Sequence, residues 1–240
     1  MSDGPEVEVV RARLGDFSEL SRFRAVLSAD EQARAAGYKL REPADVFILS
    51  RGLLRLELGR RLGVNARELR FEVRASGKPD VRRADPSWPD WRFSVSHTGP
   101  HVAIAFAPGS DVGIDIERLD REVKPLDIAK RYFTPREFEV LQSTPEQERE
   151  RAFFAGWTRK EAIVKARGLT MAESLTTLSV DLDPAAIHPA HEDDPSGSER
   201  PVCRLTAFLL PDQKLIGAAA VCGDRAPRLR FDVLSGPRFD

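Results

Sequence analysis

The N-terminal quarter of the chain carries apolar residues at helical spacing. Four of them share one face of a helix predicted over residues 17–36: Leu20, Phe23, Val26 and Leu27. A second set predicts a helix over residues 44–62: Phe47, Ile48, Leu54 and Leu58. Each stripe indicates an amphipathic helix with one buried face.

Shorter apolar or alternating segments predict strands. These segments are residues 69–73, 93–95, 101–106, 112–116, 175–182, 203–210, 215–221 and 229–234. Residues 75–79 and 85–89 break the pattern with Gly and Pro. Residues 191–201 are polar and rich in Asp, Ser, Pro and Gly, which predicts a flexible surface loop.

Two helix starts are well marked in the second half. Thr134-Pro135-Arg136-Glu137 has a capping threonine, a proline at the first helical position and a glutamate at the third. Thr144-Pro145-Glu146-Gln147 repeats this pattern with glutamine. We expect the helix after Pro145 to run to Arg167 and to end at Gly168.

Helices followed by strands in both halves predict an α+β fold with two similar lobes. The boundary falls near Pro108-Gly109-Ser110, which gives an N-terminal lobe at residues 1–109 and a C-terminal lobe at residues 110–240. We expect the two lobes to form one compact unit.

Composition narrows the classes of function. The 240 residues have a formal net charge of −1, so no global basic field predicts nucleic-acid binding. We find no apolar run long enough for a membrane span and no signal-peptide pattern at the N-terminus. The chain has two cysteines, Cys203 and Cys222, which we interpret as buried thiols in a reducing cytoplasm.

Asp115-Ile116-Glu117 lies on a predicted strand, where a period of two puts both carboxylates on one face. Mg²⁺ would suit such a pair, because it prefers a few carboxylates together with phosphate oxygens. Taken alone, the pair fits an ordinary solvated strand face at least as well.

Trp157, Glu161 and Lys165 are spaced four residues apart on one face of a predicted helix. A surface ion pair would explain Glu161 and Lys165 equally well in isolation. The residues around them are apolar and indicate a buried helix: Phe153, Phe154, Ala162, Ile163 and Val164. Buried charges generally need a partner or a ligand, which favours a functional role.

Several cations and a histidine could contact an anion. His97 lies in Ser96-His97-Thr98-Gly99, which follows a predicted strand. This segment fits either a phosphate-binding site or an ordinary turn with a surface histidine. Arg51, Arg34 and the lysine of Gly77-Lys78-Pro79 are each ordinary solvated cations if taken singly. No Gly-rich phosphate loop is present. Only seven of the 37 basic residues are lysines, and three of them fall in these motifs: Lys78, Lys160 and Lys165.

Four motifs in order resemble one family. They are Gly-Lys-Pro from residue 77, Phe-Ser-Val-Ser-His from residue 93, Gly-Ile-Asp-Ile-Glu from residue 113 and Trp-Thr-Arg-Lys-Glu-Ala-Ile-Val-Lys-Ala-Arg-Gly from residue 157. Together they resemble the 4′-phosphopantetheinyl transferases of the Sfp type, over roughly residues 34–170. The resemblance implies transfer of phosphopantetheine from coenzyme A to a serine of an apo acyl or peptidyl carrier protein, with release of adenosine 3′,5′-bisphosphate. It also implies a monomer of two pseudo-symmetric lobes, with coenzyme A and Mg²⁺ in the cleft between them.

The resemblance assigns roles by position. The implied metal ligands are Asp115, Glu117 and Glu161. Glu161 also corresponds to the base for the carrier serine, and Lys165 corresponds to the cation beside the pyrophosphate. The implied coenzyme A contacts are Arg51, Lys78, Ser96, His97, Lys160 and Lys165, with Arg34 matched less closely. Residues 124–138 resemble the region that meets the carrier protein.

Two other functions fit the same residues. One is a non-catalytic module that binds coenzyme A or a carrier protein, and the other is a Mg²⁺-dependent phosphohydrolase. The sequence does not distinguish fatty-acid, polyketide, nonribosomal-peptide and lysine-pathway carriers.

Overall fold

The two halves of the chain run through the same order of elements. The computed structural model describes residues 4–73, 77–82, 85–170, 174–188, 191–192, 202–211 and 214–234. The first half contains β1 (Glu6–Arg13), α1 (Ser21–Ala25), α2 (Ala29–Ala36), α3 (Arg41–Leu62), β2 (Phe71–Val73), β3 (Pro79–Val81), β4 (Trp91–Thr98) and β5 (His101–Pro108). The second contains β6 (Val112–Arg118), α4 (Pro125–Tyr132), α5 (Pro135–Ser143), α6 (Glu146–Arg167), β7 (Ser179–Val180), β8 (His191–Glu192), β9 (Cys203–Leu210) and β10 (Leu215–Cys222), and is followed by β11 (Arg228–Leu234). The predicted α+β class is confirmed.

The sheets carry the same repeat. One sheet has the order β11-β1-β5-β4 and the other has the order β6-β10-β9. β1 pairs antiparallel with β5, just as β6 pairs antiparallel with β10. β11 departs from the repeat, because it returns from the C-terminal half and pairs parallel with β1.

The long helices α3 and α6 each span 22 residues and end at a glycine in the left-handed conformation. These glycines are Gly63, with φ 68°, and Gly168, with φ 64°. Glycine adopts this conformation without a Cβ penalty, so the predicted stop at Gly168 is confirmed. α3 begins three residues before the predicted start.

Three predicted elements differ from the structure. The single helix over residues 17–36 is wrong, because Ser28 and Glu31 form a capping box that begins a separate helix, α2. Thr144 does not cap α6. Its N–H and hydroxyl instead bond Val140 O at the end of α5. The predicted strand at residues 175–182 is reduced to β7, since a turn closes from Ser174 O to the N–H of Leu178.

The strands near the lobe boundary are longer than predicted. β4 continues through Thr98, so Ser96-His97-Thr98 is strand and not turn. β6 likewise extends to Arg118. The predicted surface loop at residues 191–201 begins with β8, and its residues 193–201 lie outside the described residues. Residues 75 and 76, at the start of the predicted break at residues 75–79, also lie outside them.

Side-chain hydroxyls join the two sheets at β4 and β6. The N–H of Ile114 donates to Ser94 Oγ at 3.1 Å, and the N–H of Ile116 donates to Ser96 Oγ at 3.2 Å. An apolar cluster adds a packed core between the sheets, with members Val7, Val9, Ala103, Ala105, Ala107, Val112, Ile114, Ile116, Ala219 and Val221. The two halves therefore share a core.

Each half also buries one equivalent ion pair. Glu31 and Glu137 are the third residues of α2 and α5, and each completes a capping box. Glu31 accepts from Arg55 Nε at 2.7 Å, and Glu137 accepts from Lys160 Nζ. Arg55 and Lys160 both lie fourteen residues after the first residue of their helix, α3 or α6. Among the described residues no helix is long and apolar enough to cross a membrane.

The Lys160 pair corrects one expectation of the resemblance. Lys160 is fully buried, and its ammonium also donates to Leu178 O. Since these partners lie in the core of the C-terminal half, we do not carry Lys160 forward as a coenzyme A contact.

We predict that Glu137→Gln lowers the free energy of unfolding by about 3–5 kcal/mol, because it leaves the Lys160 ammonium buried without a counter-charge. Urea denaturation would measure this loss. Glu137→Gln combined with Lys160→Met should recover much of it, since an apolar side chain then fills the site. The exposed pair Arg41–Asp45 supplies the control, and Asp45→Asn should cost less than about 1 kcal/mol. An equal cost for Glu137→Gln and Asp45→Asn would contradict the assignment.

Candidate active site

The site begins with a close contact between β6 and α6. A Cβ atom added at Gly113 would lie 1.9 Å from Ala162 O and 2.5 Å from Ala166 N, so only glycine fits there. Because the strand backbone touches the helix backbone, the side chains that follow on β6 meet those of the last turns of α6. Asp115 thereby comes within reach of Lys165.

Lys165 sits between two carboxylates. Its Nζ donates to Asp115 Oδ1 at 2.7 Å and to Ile114 O at 3.1 Å, and it lies 3.4 Å from Glu161 Oε2. Burial alone would lower the pKa of Lys165, but the two carboxylates outweigh burial and raise it. The ammonium is therefore charged at neutral pH, and a quarter of the side chain, 25%, stays exposed.

Asp115 has one satisfied and one unsatisfied oxygen. Its Oδ1 also accepts from Ser96 Oγ at 2.8 Å. Its Oδ2 is buried and has no hydrogen-bond partner. A buried carboxylate oxygen without a partner carries a desolvation cost, and a cation placed beside it would remove that cost.

Glu117 lies two residues further along β6 and is half-buried. Its Oε2 accepts from Thr98 Oγ1 at 2.9 Å, and Arg121 Nη1 lies 3.3 Å from the same oxygen. Ser96 and Thr98 alternate on β4 just as Asp115 and Glu117 alternate on β6, so two hydroxyls hold two carboxylates in parallel. The sequence reading missed this role of Thr98 because it placed the residue in a turn.

The three carboxylates repel one another. Burial and the charges of Asp115 and Glu117 raise the pKa of Glu161 to about 7, although Lys165 opposes the shift. Burial and Asp115 also raise the pKa of Glu117. The Lys165 ammonium and the half-exposed Arg121 guanidinium do not fully offset the three acids, which favours a bound cation.

The acids fit a hard cation by their chemistry. Within the described residues, no three Asp, Glu, His or Cys side chains already converge into a complete metal site. Asp115 Oδ2 and the raised pKa values of Glu161 and Glu117 nevertheless mark these three acids as oxygen donors whose negative charge is not fully offset. Carboxylate oxygens are the ligands that Mg²⁺ prefers, so the residues present fit that ion.

His97 projects from the opposite face of β4 to Ser96 and Thr98. It is exposed, whereas its two neighbours are buried. It lines a pocket of ≈ 640 Å³ together with Tyr38 and Phe47. Partial desolvation and the charge of Lys165 lower the pKa of His97, so at neutral pH the ring is uncharged and can donate or accept one hydrogen bond.

Arg51 lines a second pocket of ≈ 580 Å³ that is rich in arginine. Its Nε lies 3.4 Å from Glu31 Oε1, its guanidinium lies 5.2 Å from the ring centroid of Phe71, and its Nη1 is buried without a hydrogen-bond partner. Phe47 lines both pockets, so they adjoin. The other arginines of this pocket are Arg34, Arg55, Arg67 and Arg70. Such a concentration of guanidinium groups suits a phosphate-bearing ligand.

Lys78 ties the two halves together near the acids. Its Nζ donates to Val112 O at 2.7 Å, at the start of β6, and to Lys165 O at 3.0 Å, in the last turn of α6. The structure therefore brings Asp115, Glu161 and Lys165 into contact and places Lys78 behind them. His97 and Arg51 line the two adjoining pockets.

Comparison with known proteins gives consistent matches. The chain matches the family models "4'-phosphopantetheinyl transferase superfamily" over residues 111–201 and "4'-phosphopantetheinyl transferase, N-terminal" over residues 16–109. It is 33% identical over 208 residues to 4'-phosphopantetheinyl transferase HetI of a Nostoc species, covering 86% of this chain and 83% of that protein. It is 31% identical over 166 residues to 4'-phosphopantetheinyl transferase Sfp of Bacillus subtilis, covering 68% and 70%. It is 27% identical over 165 residues to the human L-aminoadipate-semialdehyde dehydrogenase-phosphopantetheinyl transferase, covering 66% and 53%.

We predict that Glu161→Gln stabilises the protein in EDTA, and more so at higher pH. The pKa of Glu161 is about 7 in the folded chain, above its ordinary value of 4.5. The stabilisation that results from the raised pKa of Glu161 is therefore complete below about pH 4.5 and is lost as the pH rises towards 7. Between pH 6 and pH 8 the free energy of unfolding of Glu161→Gln, relative to the unsubstituted protein, should rise by about 1 kcal/mol.

Urea denaturation at both pH values would measure the difference. Glu139→Gln is the matched control, because Glu139 is exposed on α5. If the difference in free energy of unfolding between Glu161→Gln and the unsubstituted protein stays constant with pH, the pKa of Glu161 is not raised in the folded chain.

Proposed function

The chain belongs to the 4′-phosphopantetheinyl transferase superfamily, and we propose that Asp115, Glu117, Glu161 and Lys165 form its active centre. The enzyme transfers the 4′-phosphopantetheine group of coenzyme A to a carrier protein. One observation carries the assignment of the centre. The Lys165 ammonium contacts Asp115 and Glu161, and Asp115 Oδ2 is left buried without a partner.

The proposed metal ligands are Asp115, Glu117 and Glu161, and the proposed ion is Mg²⁺. Support comes from the excess negative charge of the three acids, of which Ser96 and Thr98 hold two by hydrogen bonds. When bound, Mg²⁺ would offset the repulsion between the acids and stabilise charge on the pyrophosphate oxygens of coenzyme A.

Glu161 is the proposed base for the carrier serine. A serine hydroxyl is a weak nucleophile and needs a group that takes its proton as it attacks. Glu161 has a pKa of about 7, so it is partly ionised at neutral pH and can accept that proton directly or through water. The serine oxygen bonds to the phosphorus that carries pantetheine, while the bond to adenosine 3′,5′-bisphosphate breaks.

Lys165 is the proposed partner of the leaving bisphosphate. Negative charge accumulates on that group as the phosphoanhydride bond breaks, and a fixed ammonium stabilises it. Asp115 Oδ1 and Ile114 O hold the ammonium in place. Because one quarter of the side chain is exposed, 25%, the ammonium lies at the edge of the acid cluster, where a phosphate could approach it.

The remaining coenzyme A contacts are proposed in the two adjoining pockets. His97 and Arg51 line them, and Lys78 directly precedes Pro79, the first residue of β3, which lines the arginine-rich pocket. Ser96 has a different proposed role, since its hydroxyl is engaged by Asp115 and by the N–H of Ile116 and so orients an acid.

The finer features of the partner remain proposals. We propose that an acyl or peptidyl carrier protein docks along residues 124–138, which include α4, the first helix after the acids of β6. We propose a monomer in the cytoplasm that acts without nucleic acid or membrane. The shared core between the sheets supports a monomer, because the two lobes of one chain already cover each other. The division at residue 109 also stays a prediction.

Intact mass spectrometry would test this function. We predict that an apo acyl or apo peptidyl carrier protein gains one phosphopantetheine when incubated with the enzyme, coenzyme A and Mg²⁺, and gains nothing with EDTA. Asp115→Asn and Lys165→Met should each lower the rate by at least about 100-fold, while Glu19→Gln, at an exposed site, should leave it unchanged. Coenzyme A binding without any gain across both carriers would favour a non-catalytic module, and release of bisphosphate without carrier would favour a phosphohydrolase.

We predict that Thr98→Val raises the Mg²⁺ concentration needed for half-maximal transfer by about tenfold, because Glu117 loses the hydroxyl that orients it. Thr98→Ser keeps the hydroxyl and should behave like the unsubstituted enzyme. Thermal unfolding with and without Mg²⁺ gives a readout independent of activity, and the stabilisation by Mg²⁺ should shrink in Thr98→Val only. Identical Mg²⁺ dependence in both variants would remove Thr98 from the site.

A further inference from the structure

The two cysteines of the chain face each other across the C-terminal sheet. Cys203 is the first residue of β9, Cys222 is the last residue of β10, and the two are directly opposite in register. Their Sγ atoms are 2.7 Å apart. The transferase chemistry uses neither thiol, and the sequence pattern indicated only that both are buried.

The backbone pattern around this pair fixes its geometry. The N–H of Gly223 donates to Val202 O at 2.8 Å, one position beyond the cysteines. Hydrogen-bonded and non-hydrogen-bonded pairs alternate along antiparallel strands, so Cys203 and Cys222 form a non-hydrogen-bonded pair. In such pairs the Cα atoms are about 4.5 Å apart, which lies within the range of about 4.4–6.8 Å that a disulfide spans. The strands therefore need little movement to accept a bond between the two sulfurs.

Exposure and charge differ between the two thiols. Cys203 is fully buried, whereas Cys222 is partly exposed at the strand end. A hydrogen bond from Cys222 and the positive charge of Arg167 lower the pKa of Cys203, against the effect of burial. The Cys203 sulfur is thus the more readily ionised one. The same hydrogen bond and partial burial raise the pKa of Cys222, so it is exposure and not ionisation that makes Cys222 the sulfur that a reagent in solution reaches first.

We propose that Cys203 and Cys222 form a redox-active dithiol site, which low-molecular-weight disulfides oxidise reversibly to a cross-strand disulfide in the folded protein. Cys222 Sγ bonds to one sulfur of the reagent, whose own S–S bond breaks and releases one thiol. Cys203 Sγ then attacks Cys222 Sγ and releases the second thiol. Two electrons and two protons pass from the protein to the reagent, and excess thiol reverses both steps.

The test uses the full chain in glutathione buffers. The reduced protein is equilibrated at a series of ratios of reduced to oxidised glutathione, quenched with N-ethylmaleimide and analysed by intact mass and non-reducing peptide mapping. We expect a species that is lighter by two hydrogens, carries no maleimide and contains a peptide linking Cys203 to Cys222. Dithiothreitol should restore two alkylatable thiols. Two free thiols at every ratio, or a stable glutathione adduct alone, would overturn the proposal.

One further measurement distinguishes a pair that the fold holds together from two cysteines that are merely close in the sequence. In urea the preference for the disulfide should fall by at least about tenfold, since only the fold holds the sulfurs together. An equal preference in the native and the unfolded chain would show that the fold does not prepare the pair.

The order of attack is tested by two matched variants. Cys203→Ser should accumulate a glutathione adduct on Cys222, because the partner that displaces glutathione is gone. Cys222→Ser should resist modification, because Cys203 is buried. Faster modification of Cys222→Ser than of Cys203→Ser would contradict the role of Cys222 as the entry point.

Discussion

The contact between β6 and α6 at Gly113 is the constraint on which the candidate active site depends. A strand usually packs on a helix through side chains, which keep the two backbones apart. Here the absence of a Cβ lets the strand approach the carbonyl of Ala162 directly. Asp115, two residues along the strand, consequently reaches Lys165 on the helix with a hydrogen bond of 2.7 Å. The acids and the ammonium are thus fixed by regular elements, and such a site is held more rigidly than one built on loops.

Lys160 and Glu161 are adjacent on α6, but their buried charges are compensated to different extents. Lys160 is fully compensated, because Glu137 and a backbone carbonyl enclose its ammonium in the core. Glu161, the next residue, is undercompensated, since Asp115 and Glu117 oppose its ionisation and only Lys165 favours it. The first half of the chain has the structural pair again in Glu31 and Arg55. At the position equivalent to Glu161, however, α3 carries Leu56. The repeat therefore preserves the structural charge pair in both halves, whereas the proposed metal ligands and Lys165 lie in the second half alone.

Local sequence signals predicted those parts of the fold that local physics decides. The strand period put Asp115 and Glu117 on one face, the spacing of four put Glu161 next to Lys165, and Gly168 marked the end of α6. The break between α1 and α2 was also predictable, since Ser28-Ala29-Asp30-Glu31 is a capping-box pattern. Lys160 and Lys165 could not be told apart in this way. Which of them is enclosed depends on Glu137, which is 23 residues away in sequence from Lys160. The pairing of β11 with β1 likewise rests on contacts between the two ends of the chain.

β4 lies between the acid cluster and the pocket lined by His97, and each of its two faces contacts one of them. Ser94, Ser96 and Thr98 point towards β6, where they hold its backbone and two of its carboxylates. His97 points the other way, into the pocket that Phe47 shares with the arginine-rich pocket around Arg51. Successive residues of a strand rise by about 3.3 Å and point to opposite faces, so a ligand held at His97 has a defined offset from the acids on the opposite face. Transfer between phosphates depends mainly on such positioning and on charge. One strand of the N-terminal sheet could therefore set the distance between the proposed coenzyme A pockets and the acids of the C-terminal half.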